Sequence, residues 1–385
     1  MINIRRIIRL VPFVLLCVFT TGIALGAQLG KRPVSWRQLS QFVLRGYPSR
    51  TSGSEISRGY DPNWFASDEA VRVADNILLY QRNTGGWPSN IDMARELTDE
   101  EKKQIRDDKN KDDALLDNSA THTQVRYLAV VFTATKLERF EQAFYEGLDY
   151  ILDAQYDNGG WPQVYPSPSG YHKYITFNDD AMIGALSLVR DIAERKSGYQ
   201  FIDEKRRKRA EDAVKKGIEC ILKCQIIVDG KRTAWCQQHD EKTFEPRDAR
   251  NFEPIAITAC ESVGVVEFLM SIDKPSPEII GAVRDAVAWL DSVKITGIRQ
   301  IRKFTTDEER RLDRVIVEDE DAKPIWARLY EIGTNKPIFG DRDSKLYYAM
   351  SDISIERREG YAWYGYWPEE LLEKDYPAWK EKWDE

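Results

Sequence analysis

The chain is poor in the residues that most often carry metal-hydrolase and redox chemistry. Three histidines occur in 385 residues, His122, His172 and His239. None sits in an HExxH or paired-histidine pattern, so a zinc hydrolase has no support. Of five cysteines, Cys17 falls in an N-terminal leader. Cys220, Cys224, Cys236 and Cys260 show no CxxC spacing, which leaves buried free thiols or a disulfide of an exported protein. There is no excess of positive charge: 56 Lys and Arg stand against 63 Asp and Glu, a net charge of −7, which argues against general nucleic-acid binding. With 31% charged and 42% hydrophobic residues, the chain is too polar for a multispan membrane protein and too apolar for disorder. Strand-like alternation is confined to short pieces near Gln163–Tyr165 and Val315–Val317.

One long apolar run is present. Arg5, Arg6 and Arg9 precede Leu10–Ala27, which ends in small residues. That is the layout of a secretory signal peptide. Cleavage is the expected fate, an uncleaved anchor the alternative, and the mature protein is expected to be secreted or periplasmic with no stable membrane insertion. Loss of residues 1–27 removes three arginines and no acid, moving the net charge from −7 to −10. Residues 28–385 are expected to form one catalytic domain.

Elsewhere the apolar period is helical. Ala66–Gln81, Tyr127–Phe140, Phe144–Gln155, Asp179–Ala193, Arg209–Gln225, Ile255–Ser271 and Pro277–Val293 each carry an apolar face at 3.6-residue spacing. The connecting loops repeat: Gln81-Arg82-Asn83-Thr84-Gly85-Gly86-Trp87-Pro88 returns as Gln155-Tyr156-Asp157-Asn158-Gly159-Gly160-Trp161-Pro162, and degenerately in Gly230 to Cys236. Trp87, Trp161 and Trp235 are therefore separated by steps of 74 residues. That period fits one helical hairpin plus one long loop. Three such hairpins can close into an (α/α) toroid whose inner helices frame a cleft. The tryptophans then either pack hairpin on hairpin or, as Trp161 could, line the cleft.

Candidate chemistry lies in loops before helices. Asp117-Asn118 and Asn178-Asp179-Asp180 each open a helix. They read either as N-caps or as two acidic turns sharing a hard cation through oxygen ligands. Arginines gather in non-periodic, aromatic-rich sequence: Arg247 and Arg250, Arg328, Arg342, Arg357 and Arg358. Arginine suits two-point recognition of carboxylates. The choice is between loop staples paired to nearby acids and a localised anion-binding cleft.

The strings NTGGWPSNIDM, LDNSATHTQVRYLA, YDNGGWPQVYP, FNDDAM, WCQQHD, EPRDARNFEP, WARLYEIGTNKPIFGDRD and ERREGYAW together resemble the family 10 polysaccharide lyases, pectate lyases with an (α/α)₃ toroid. The likeness runs from about Trp64 to Trp367. It implies an all-α dominated fold with long loops and few short strands, and Ca2+-dependent β-elimination on polygalacturonate by a monomer. By the resemblance, Asp117, Asn118 and Asp179 hold calcium, Arg250 is the base that abstracts the C5 proton, and Arg328, Arg342 and Arg357 grip uronate carboxylates. Ser119 departs from the glycine expected after Asp-Asn, the insert Lys102–Asp113 is unusually charged, and Arg247 competes with Arg250 for the role of base.

An arginine base poses a chemical difficulty. With a reference pKa of about 12.5, roughly 10⁻³ to 10⁻⁴ of it is neutral at pH ~9, so an alkaline optimum is expected. His239 is the other base the residues permit. A rival activity is an inverting glycoside hydrolase on an (α/α) toroid, with Asp117 and Asp179 or Asp240 as its carboxylate pair. The Gln-x₃-Gly-x-Trp loops also fit triterpene cyclases, but the chain is exported, short and without DxDD. A carbohydrate-binding module would show a flat aromatic strip without the acids and arginines.

Overall fold

A computed structural model describes residues 35–44, 62–306 and 312–383. The leader read in residues 1–27 lies outside them. Eleven α-helices are described: α1 (Trp36–Leu44), α2 (Asp68–Tyr80), α3 (Asp99–Asp107), α4 (His122–Thr135), α5 (Glu138–Asp153), α6 (Ala181–Ala193), α7 (Glu204–Cys224), α8 (Ala259–Met270), α9 (Pro277–Ser292), α10 (Ile355–Gly360) and α11 (Tyr376–Trp383). None is long and apolar enough to cross a membrane.

Three antiparallel hairpins, α4/α5, α6/α7 and α8/α9, form the expected (α/α)₃ toroid. Burial separates the rings. Every residue of α6 from Ala181 to Ile192 is buried, and α8 is buried almost throughout. A helix apolar on all sides belongs inside, and α4, α6 and α8 pack on one another in that order. The outer α7 buries only a stripe at three- and four-residue spacing, Arg207, Ala210, Ala213, Gly217, Cys220, Ile221 and Cys224. The expected helix Tyr127–Phe140 is in fact two: α4 stops at Lys136, which is left-handed (φ 59°).

The repeated loops lock the outer ring. Gln81 Nε2 donates to Gly85 O at 2.9 Å and to Ala143 O of α5 at 3.0 Å. Gln155 reaches Gly159 O and Ala213 O of α7, and Gln225 reaches Thr233 O and Ala282 O of α9, all within 2.9–3.0 Å. Each glutamine thus ties the end of one outer helix to the middle of the next. Gly159 (φ +94°) lies so close to α7 that a Cβ would stand 2.0 Å from Lys216 O, which is why glycine is needed there.

The loop tryptophans are fully buried, and each indole N–H donates at 2.8 Å to its own preceding helix: Trp87 to Ile77 O, Trp161 to Ile151 O, Trp235 to Ile221 O. Trp161 is therefore corrected from a candidate sugar-binding residue to a core residue, because no part of its ring is left to face a cleft. Trp326, bonded to Leu290 O at 2.8 Å, is a fourth copy. Its spacing is masked by an antiparallel hairpin, Ile298–Phe304 with Leu312–Glu318, inserted before it.

Two-residue strands rivet the loops above the inner-helix starts. Ile175–Thr176 pairs with Gln238–His239, which pairs with Pro246–Arg247. Ile257–Thr258 pairs with Leu329–Tyr330, and Trp326–Ala327 with Tyr364–Gly365. These pairings carry the residues around 247, 328 and 361 to the same end of the ring as the turns before α4 and α6. Cys220, Cys224, Cys236 and Cys260 are free thiols, the first three buried.

Candidate active site

The helix starts show which acids are spare. The outer helices α2, α7 and α9 begin with side-chain caps from Ser67, Asp203 and Ser276. The inner helices α4, α6 and α8 begin at Thr121, Asp180 and Thr258 with no side-chain cap bond. Asp117, Asn118 and Asp179 are thus not N-caps. They sit in adjoining 3₁₀ turns, Asp117–Ser119 and Asn178–Asp180. Both turns are strained: Asn118 (φ 52°), Ser119 (φ 60°), Thr121 (φ 62°), Asp179 (φ 47°) and Asp180 (φ 59°) are all left-handed, a conformation non-glycine residues avoid unless the surroundings impose it. Ser119 occupies a position that a glycine would adopt freely.

The two carboxylates are poorly compensated. Asp117 Oδ2 accepts from Asn118 Nδ2 at 2.9 Å, while its Oδ1 is buried with no partner. Desolvation, reinforced by the charge of Asp179, pushes the Asp117 carboxyl up to about 6. Asp179 is raised by desolvation and by Glu261 and Asp180, with Arg328 and Arg250 opposing. Two desolvated acids, one of them raised further by the other, and an oxygen without a donor fit a hard cation. Among the described residues no group of three His, Cys, Asp or Glu converges on one metal position, so a cation here would draw most of its oxygens from amide, water and substrate.

The opposite wall is built of arginines already in partnership. Arg250 places Nε 2.7 Å and Nη2 2.5 Å from the Glu253 carboxylate, leaving Nη1 for the cleft. Its pKa is raised by the Glu253 hydrogen bond, against desolvation. Arg328 donates to Glu261, to Asn178 Oδ1 at 3.2 Å and to Asp179 Oδ1 at 3.5 Å. Burial works against its charge, but Glu261 and its other neighbours hold it well above the ordinary arginine value. Arg342 and Arg357 both donate to Glu356.

Two rings underlie all four guanidiniums. Phe252 lies 4.8, 5.1 and 4.4 Å from Arg250, Arg342 and Arg357, and Tyr361 lies 4.5 Å from Arg328. Tyr361 also donates from its hydroxyl to Glu253 at 3.0 Å and accepts from Gln237 Nε2 at 3.0 Å. Cation–π contact with a desolvated ring holds a guanidinium without consuming its N–H donors.

The other candidates are committed elsewhere. Arg247 grips Asp240 through Nε and Nη2 at 3.0 and 2.7 Å. Although desolvation opposes it, this bond and those from the Thr243 and Lys242 backbone hold Asp240 down to about 2, too acidic for a general acid. His239 is fully buried, its Nδ1 bonded to Phe244 O at 2.8 Å and its Nε2 accepting from Cys236 N at 3.0 Å. Burial lowers it to about 4. It is a structural residue, not a base.

A family model described as pectic acid lyase matches residues 81–372. The chain belongs to the pectic acid lyase family. A solved family 10 polysaccharide lyase from Cellvibrio cellulosa is 30% identical, with a TM-score of 0.68 over 83% of this chain and 94% of that one. A mutant of the family 10 lyase from the same organism, in complex with trigalaturonic acid, is 30% identical with a TM-score of 0.70, covering 84% of this chain and 96% of the other. No curated protein matches. The chain is accordingly a polysaccharide lyase, and the hydrolase and cyclase readings fall.

Several residues of this lyase's cleft escaped the sequence. Phe252, Glu253, Glu261, Glu356 and Tyr361 surround the arginines without having been singled out. Glu261 left one signal: it is a buried acid (3% exposed) on an inner helix otherwise almost wholly apolar, and such residues are rarely buried unless paired.

Proposed function

We propose that this lyase cleaves polygalacturonate by calcium-assisted β-elimination. Asp117, Asn118 and Asp179 are the cation's protein ligands, Arg250 is the base, and Arg328, Arg342 and Arg357 hold uronate carboxylates. The observation that carries the reading is the under-compensated Asp117–Asp179 pair, which interacts electrostatically with Arg250 in one cleft. The Cellvibrio complex with trigalaturonic acid supports a galacturonate polymer as substrate.

Elimination removes the proton on C5 and breaks the bond from C4 to the glycosidic oxygen, leaving a double bond between C4 and C5, while the departing oxygen takes up a proton from water. The C5–H bond is weakened by withdrawing charge from its neighbouring carboxylate. A calcium ion held by Asp117, Asn118 and Asp179 would supply such withdrawal. Arg250 Nη1 accepts the proton; Nε and Nη2 stay on Glu253 and fix the plane of the group. Arg328 donates to Asn178 and Asp179 as well as serving as one of the three carboxylate-binding arginines. Arg342 and Arg357 bind the polymer through its carboxylates.

Glu253 imposes a condition on this chemistry. It favours the charged guanidinium, so in the free enzyme the neutral, proton-accepting form of Arg250 is scarcer than for an ordinary arginine. Activity then climbs through the alkaline range. The test is ultraviolet absorbance of unsaturated ends during digestion of polygalacturonate, with and without EDTA. Absorbance that rises only when calcium is present supports the reading; reducing ends formed without unsaturation would sink it. We further propose that residues 1–27 direct export and are cleaved, leaving residues 28–385 as a monomeric catalytic domain, which N-terminal sequencing and gel filtration of the exported protein test.

A further inference from the structure

We propose that Glu356 is a built-in occupant of the carboxylate fork formed by Arg342 and Arg357, an internal competitor that any uronate entering the fork must displace. This rests on the reading of those two arginines as uronate-gripping residues. Arg357 presents Nε and Nη2 to the two oxygens of Glu356, and Arg342 Nη2 donates to Glu356 Oε1 at 3.3 Å. Both guanidiniums lie against the Phe252 ring, at 4.4 and 5.1 Å. One carboxylate between two arginines on one aromatic floor is a carboxylate receptor, and in the free enzyme the chain's own carboxylate fills it.

Exposure shows which partner can leave. Phe252 is 1% exposed and the Arg357 side chain 7%, whereas that of Glu356 is 36% exposed. The floor is fixed and the occupant is at the surface. The other carboxylates on this wall are locked: Glu253 (2% exposed) also accepts from Tyr361, and Glu261 (3%) from Gln237 and Thr258. The hydrogen bonds of Glu356 go to Arg342 and Arg357. It is the second residue of α10, whose cap is Ser354, a residue held in turn by Asp341. Swinging Glu356 outward therefore does not unmake the helix.

Binding then becomes an exchange, in which Glu356 moves into water and a uronate carboxylate takes its hydrogen bonds. Bonds from Arg357 and Arg342 hold Glu356 down to about 2, so it competes as an anion wherever the enzyme works. The displacement costs every ligand of the fork the same, so Glu356 sets the fork's affinity, while the two arginines set its choice of an ionised carboxylate over an uncharged ester.

The experiment measures KM and kcat/KM on polygalacturonate and on highly methyl-esterified pectin, with melting temperatures, for the wild type, Glu356→Gln, Glu356→Asp and Arg342→Ala. Glutamine keeps the shape without the charge; aspartate keeps the charge but is one methylene short of bridging both arginines. Glu356→Gln should lower KM for polygalacturonate several-fold, as expected for loss of a charged competitor, and should not reduce the preference for ionised over esterified polymer. Glu356→Asp should lower KM too, by less. A KM that rises or stays makes Glu356 a staple and overturns the proposal. If Glu356→Gln melts several degrees early, the aspartate variant decides by the same criteria. Failure of the underlying reading looks different: Arg342→Ala leaves KM at the wild-type value, or the wild type releases no unsaturated ends.

Discussion

Three of the four outer helices begin in the opposite way to the inner ones; the fourth, α5, starts at Leu137 without a side-chain cap. Outer helices α2, α7 and α9 start with Ser67, Asp203 and Ser276 folded back on the first turn, bonds that satisfy orphan N–H groups and stabilise each helix by about 1 kcal/mol. Inner helices α4 and α6 start after turns in which five non-glycine residues are left-handed and no side chain caps the helix. Side-chain caps are thus found at the rim and at none of the three inner starts. The acid oxygens not spent on capping are the ones proposed to meet a cation, in keeping with the tendency of a fold's departures from local rules to be functional.

Substitutions on the two sides should separate accordingly. The largest effect belongs to the inner turns: Asp117→Ala or Asp179→Ala should abolish calcium-supported turnover while leaving the melting temperature of the metal-free protein unlowered, because each removes a poorly compensated charge and no cap. Residual activity near the wild-type level in both would remove the metal assignment. Next comes Arg250→Lys, expected to lose several orders of magnitude in kcat with little change in KM, the pattern of an interaction made only in the transition state. A raised KM with kcat spared would make Arg250 a binder.

Glu253→Gln should have a subtler effect. Glu253 raises the Arg250 pKa, and a base works in its deprotonated form, so removing that charge should move the alkaline activity limb toward lower pH; a limb that stays in place, or moves upward, contradicts a base at Arg250. The smallest effect on catalysis is expected at the rim. Asp203→Ala should cost about 1 kcal/mol of stability and leave turnover per folded molecule at the wild-type value. Trp161→Leu belongs with it: denaturation should be easier by a few kcal/mol, about the cost of truncating a large core side chain, and KM for polygalacturonate should not move.

The same contrast explains what the sequence showed. Helices and their repeat were legible because an apolar period and a Gln-x₃-Gly-x-Trp loop are local signals. The acidic turns stood out as acids before helices, though sequence could not tell a cap from a ligand. The structure separates them through the bonds Asp117 does not make. The arginines were visible as residue types in the wrong kind of sequence. Their partners were not, because Arg328 finds Asn178 150 positions away and Tyr361 finds Gln237 at 124, and no periodicity encodes such pairs. Trp161 was misjudged for a related reason: aromatic loops suit both a sugar platform and a core wedge, and only burial distinguishes them.

The glutamine clamps impose an order of assembly. Gln81 cannot close its second bond until Ala143 has arrived, nor Gln155 before Ala213, nor Gln225 before Ala282. A chain that emerges from its N-terminus, through a ribosome or a translocation pore, therefore completes the ring one segment at a time, each latch waiting for the helix behind it. Much of the arginine wall comes last, though Arg250 and Phe252 precede the final latch. Arg328, Arg342, Arg357 and Tyr361 all follow the final latch, so an immature chain can hold its scaffold and its acidic turns while it has no means of gripping a polymer. Were the chain exported as proposed, chain order by itself would delay activity until the whole molecule had passed through.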